Sequence, residues 1–112
     1  MTKKNVKKEL EILKSDFSEL MDLFDNSHEN LSLISKRYSE IKVQVNERLN
    51  FLEKEYKANK LNEIELCFLL PAIREVSLHC TAKIGSKNIE QLSASIYDCE
   101  DYSSYWLTAL DA

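Results

Sequence analysis

Residues 3–24, KKNVKKELEILKSDFSELMDLF, decide the fold class. Val6, Leu10, Leu13, Phe17, Leu20 and Phe24 follow one another at gaps of 4, 3, 4, 3 and 4 residues. A helix turns once every 3.6 residues, so this spacing lays six apolar side chains along one stripe; a strand would need alternation at every second position. The stripe is a heptad repeat without an error over more than two repeats, a coiled-coil-like seam. Ile12, Met21 and Leu23 widen it and predict contact with more than one neighbouring helix.

Beyond it, Asp25-Asn26-Ser27-His28-Glu29-Asn30 interrupts the apolar pattern with residues that compete for backbone hydrogen bonds, which predicts a turn with a solvated His28. Phe24 and Leu31 are seven apart, however, so the heptad phase also allows one helix about 80 Å long through both halves. The second stripe is Leu31, Ile34, Tyr38, Ile41, Val45, Leu49, Leu52 and Tyr56. Leu33, Val43 and Phe51 fall off it, and three bulky apolar residues outside one stripe point to a second contact surface.

Asn62 and Glu65 have the spacing of a capping box, which predicts a third helix from residue 62. Pro71 falls inside it. Proline lacks a donor and crowds the preceding turn, so a kink or a break is expected there. Gly85, the single glycine, is placed as the left-handed stop after Ile84. Asn88 and Gln91 offer another cap before a last stripe of Ile89, Leu92, Ile96, Cys99, Ser103, Trp106 and Leu110. The expected architecture is all-α: one domain over residues 1–112, a four-helix up-and-down bundle with helices at about 4–25, 28–58, 62–84 and 86–110.

Composition agrees. The chain has 112 residues, 44% hydrophobic and 30% charged, with one glycine and one proline. Few turn-formers in a short chain with enough apolar mass for a core mean long helices. A net charge of −4 argues against a dedicated nucleic-acid or anionic-membrane binder. The sign is polarised: Lys3, Lys4, Lys7 and Lys8 open the chain, and every charge after Lys87 is acidic. That tail is suited to a basic partner or to the protein's own N-terminus. No apolar run approaches membrane-spanning length, and no signal-peptide pattern follows the first lysines. Three cysteines leave one unpaired in any disulfide scheme, so buried thiols in a reducing cytoplasm are expected.

Chemistry is sparse. Cys67, His79, Cys80 and Cys99 show no paired knuckle spacing, so no metal site is expected. Phosphate loops need glycines this chain lacks, and Glu63, Glu65 and Glu75 form no Glu-x-x-His pair, so no nucleotide, di-iron or other cofactor is expected. Arg74-Glu75-Val76-Ser77-Leu78-His79 is an Arg-x4-His spacing on a helix near Pro71. It resembles the motif of the HEPN superfamily, small helical domains that are often RNA-cleaving toxins or defence proteins. The resemblance implies a metal-independent ribonuclease in which Arg74 holds the scissile phosphate and His79 moves protons, completed across a dimer interface. Glu75 departs from the polar residue common in active members, and positions five apart on a helix are about 140° apart in projection.

The other candidate site is aromatic and acidic. Tyr97, Tyr102, Tyr105 and Trp106 stand among Asp98, Glu100 and Asp101, residue types that build binding hot spots for a basic protein partner. The reading that follows is a cytoplasmic helical interaction protein (a regulator, adaptor or inhibitor) that self-associates through the surplus apolar surface of helix two, as a homodimer, or binds a protein partner, and does no catalysis. The ribonuclease is the alternative, and only there is nucleic acid a partner.

Overall fold

The computed structural model describes residues 1–26 and 30–112. Its helices are α1 (Lys3–Asn26), α2 (Leu31–Lys57), α3 (Leu70–His79), which a π-helical stretch (Glu65–Leu69) leads into, and α4 (Ile89–Asp111). There is no strand among the described residues. All six stripe residues of α1 are buried, and with them Ile34, Tyr38, Val45 and Leu52 of α2 and Leu92, Ile96, Cys99 and Leu110 of α4. The heptad spacing therefore marks the face on which the core is assembled.

Polar contacts fix how the helices run. Glu9 meets Arg48 and Glu19 meets Arg37, so α1 and α2 are antiparallel and the single 80 Å helix is overturned. The expected turn and His28 fall partly or wholly on Ser27, His28 and Glu29, which lie outside the described residues. Lys7 pairs with Asp111 at 3.3 Å and the Tyr97 hydroxyl donates to Asp25, so α4 runs back along α1. The basic opening thus meets the acidic tail. Asn46–Ser77 and Glu53–Arg74 set α2 against α3, while Val76–Cys99 and Glu75–Trp106 set α3 against α4. α1 packs most extensively on α4, and the α1/α2 side is looser.

Two boundaries show why helices stop where they do. At the end of α2 the Lys60 amide donates to Glu55 and the Asn59 amide to Tyr56, a Schellman pair, with Asn59 left-handed at φ 58°. The Asn62–Glu65 box then forms in both directions: the Glu65 amide donates to the Asn62 side chain at 2.9 Å and the Asn62 amide to the Glu65 carboxylate at 3.0 Å. Helical backbone continues through Pro71. The irregularity precedes it as the π turn, where the Leu70 amide reaches back five residues to Glu65. A wider turn at this point gives room around the carbonyl that the proline ring would crowd.

The third helix ends at His79, five residues short of the expected 84, and the fourth begins at Ile89 instead of 86. Tertiary hydrogen bonds override the apolar period here. The Ala82 carbonyl accepts from the Tyr38 hydroxyl (3.0 Å) and the Lys42 ammonium (2.7 Å), and its amide donates to Ser95 Oγ (2.8 Å). Ser35 Oγ donates to the Ser86 carbonyl, and the Gly85 amide donates to Ser39 Oγ. These bonds pin residues 80–88 as a loop against α2 and α4. Gly85 serves a turn inside that loop, at φ +80°, and does not stop α3. A Cβ there would touch nothing, so the backbone angle alone is what favours glycine. Asn88 caps α4 as its spacing indicates, accepting from the Gln91 amide.

Candidate functional site

The structure does not bring Arg74 and His79 together. Arg74 turns to α2, where Nε and Nη2 donate to the two Glu53 oxygens at 2.5 and 3.0 Å and the guanidinium lies over the Tyr56 ring. That fork bond holds the Glu53 carboxyl below the usual carboxylate range and raises the Arg74 pKa. His79 turns to α4, with Nδ1 2.8 Å from the Glu75 carbonyl and its ring stacked on Tyr102 at 4.1 Å. Within one chain the two side chains occupy opposite flanks of α3.

The aromatic residues of α4 are divided in the same way. Tyr97 gives its hydroxyl to Asp25 of α1. Tyr102 and Trp106 lie on the α3 side, and the Trp106 indole donates to Glu75 at 3.2 Å. Tyr105 is 60% exposed, Asp98 and Asp101 are exposed, and Glu100 accepts from Ser104. Two of the three thiols, Cys80 and Cys99, are buried, but Cys67 is exposed, against the expectation.

The surplus apolar residues of α2 define a different surface. Leu33, Val43 and Phe51 are 39%, 39% and 51% exposed, and Leu33 and Phe51 stand at the two ends of one face that Val43 flanks. Between them lie Arg37, Glu40, Gln44 and Glu47, all exposed, at gaps of 4, 3, 4, 3 and 4. The six form a second, solvent-facing heptad stripe about 27 Å long at 1.5 Å per residue. A search for apolar periodicity passes over it because its centre is charged; the spacing itself was present in the sequence.

This stripe borders the loose α1/α2 seam. Arg37, Glu40 and Gln44 also line a groove of about 280 Å³ with Asp16, Glu19, Leu20 and Ile41. A second opening of about 250 Å³ continues it over Leu13, Ile41, Val45 and Ile73, between Glu9 and Arg48. Burial, and then the neighbouring Glu19 carboxylate, lift the Asp16 carboxyl above its ordinary range. The Arg37–Glu19 ion pair across the seam is 3.8 Å long between two exposed side chains, a contact of little net strength. Arg48 is held more firmly, by both Glu9 oxygens, and its guanidinium lies over the Phe51 ring.

Among the described residues no group of His, Cys, Asp and Glu side chains is placed to hold a metal ion, and no helix is long and apolar enough to cross a membrane. No family model, curated protein or solved structure matches the chain.

Proposed function

We propose that the chain is a helical protein–protein interaction module whose partner is a second copy of itself, joined along the exposed stripe of α2. The observation that carries this is the self-complementarity of the stripe. Two copies of α2 laid antiparallel, with the twofold axis at the level of Lys42, set Leu33 against the partner's Phe51, Arg37 against the partner's Glu47 and Glu40 against the partner's Gln44. A twofold interface repeats each contact, so two apolar ends and two opposite-charge pairs form together. The apolar ends supply most of the affinity, and the charges supply register. The result is a weak homodimer of coiled-coil type, at the small end of interface size. Free thiols suit a cytoplasmic setting, and a module of this kind serves as a regulator, adaptor or inhibitor.

A charge swap tests the register. Arg37→Glu places a carboxylate against the partner's Glu47 and should weaken association about tenfold or more in sedimentation experiments, since like charges meet twice. Glu47→Arg should do the same. The double variant Arg37→Glu with Glu47→Arg should restore dimerisation. It cannot mend the intrachain contact of residue 37 with Glu19, so recovery reports the contact between copies. Single variants that associate as well as the wild type, or a double variant no better than the singles, would overturn this pairing.

A further inference from the structure

We propose that Cys80 and Cys99 are a redox-active pair that closes into an intramolecular disulfide on two-electron oxidation. The two sulfurs are 3.5 Å apart and hydrogen-bonded, although the residues belong to different elements and are 19 apart in sequence. Cys80 ends α3 and opens the 80–88 loop; Cys99 sits in the middle of α4, 3.5 Å from the Val76 carbonyl. A disulfide needs about 2.05 Å between sulfurs, so closure requires an approach of about 1.5 Å. The Cys80 amide still donates to the Val76 and Ser77 carbonyls, but at ψ 63° the chain leaves the helix there, whereas Cys99 has helix on both sides.

The pair is asymmetric. The hydrogen bond shared with Cys99, the Lys42 ammonium and the Tyr38 hydroxyl together hold the Cys80 thiol below its ordinary range despite burial. The same partnership and burial push the Cys99 thiol up. Cys80, which opens the 80–88 loop that Tyr38 and Lys42 hold, is accordingly the attacking sulfur, and Cys99, fully buried in the middle of α4, the resolving one. With hydrogen peroxide as oxidant, the Cys80 thiolate attacks one peroxide oxygen, the O–O bond breaks and hydroxide leaves to become water. The Cys99 sulfur then attacks the Cys80 sulfenic acid; the S–S bond forms, the S–O bond breaks, and the departing hydroxide takes the Cys99 proton as a second water. Two thiols lose two electrons and one peroxide gains them. The bond ties the end of α3 to α4 and fixes the loop that Tyr38 and Lys42 hold from the other side. A dithiol reductant reverses it.

Cys67, the exposed thiol, is first blocked on the folded protein with N-ethylmaleimide. The protein is then treated with hydrogen peroxide, unfolded and alkylated with iodoacetamide. The expected product is lighter by two hydrogens before alkylation and takes up no carbamidomethyl group. Its tryptic peptides 75–83 and 88–112 remain joined until dithiothreitol separates them. Cys80 and Cys99 both alkylated after peroxide, or Cys80 carried on to sulfinic acid beside a free Cys99, would overturn the proposal.

Discussion

Phe17→Ala is expected to cost about 3–5 kcal/mol, the usual penalty for emptying a buried aromatic site. The whole chain has about 5–15 kcal/mol at its disposal. Phe17 is fully buried at the centre of the α1 stripe, flanked by Leu13 and Leu20 on the face that packs along α4. With a urea dependence of about 1–1.5 kcal/mol per molar, the unfolding midpoint followed by circular dichroism should fall by roughly 2–5 M. Ile12→Ala, five positions earlier on the same helix but 54% exposed, should stay within about 0.5 kcal/mol of the wild type. Equal losses for the two variants would show that the stripe does not mark the core.

The second large effect concerns assembly and not folding. Phe51→Glu removes the bulkier apolar end of the exposed stripe and sets a carboxylate against the partner's Leu33. Both copies carry the change, so the penalty occurs twice, and association should weaken by roughly a hundredfold or more. Because Phe51 is half exposed in the single chain, the thermal midpoint at low concentration should stay close to that of the wild type. A dimer that persists in Phe51→Glu would show that the copies meet elsewhere. Self-association lost together with the helical signal would mean that Phe51 belongs to the fold.

Much of the architecture was legible because helix periodicity and caps are local. The α1 stripe, the Asn62–Glu65 box and the Asn88 cap all depend on residues within a few positions of one another, and each is present in the structure. The end of the third helix was not legible. Cys80 and Ile84 continue its apolar period, yet the chain leaves the helix because Ala82 is bonded by Tyr38, Lys42 and Ser95, residues distant in sequence. Ile84 is exposed as a result.

The site was less legible than the fold for a related reason. Tyr97 and Tyr102 are close in sequence, but a helix wedged between two others sends them to opposite neighbours, α1 and α3. Arg74 and His79 part company on α3 for the same reason. The three off-stripe residues of α2, Leu33, Val43 and Phe51, are all exposed. What apolar counting missed was that Leu33 and Phe51 close the ends of a charged stripe, since its middle is Arg37, Glu40, Gln44 and Glu47. Nor does any spacing rule join Cys80 to Cys99, which only the packing of α3 against α4 brings within reach.

Self-association through α2 is the claim on which the functional reading depends, and the mass of the wild-type protein in solution tests it most directly. Measured by light scattering at about 0.5 mM, the mass should approach twice the 13.0 kDa of one chain and fall toward that value on dilution, as a weak twofold interface requires. A mass of one chain at every concentration would contradict it.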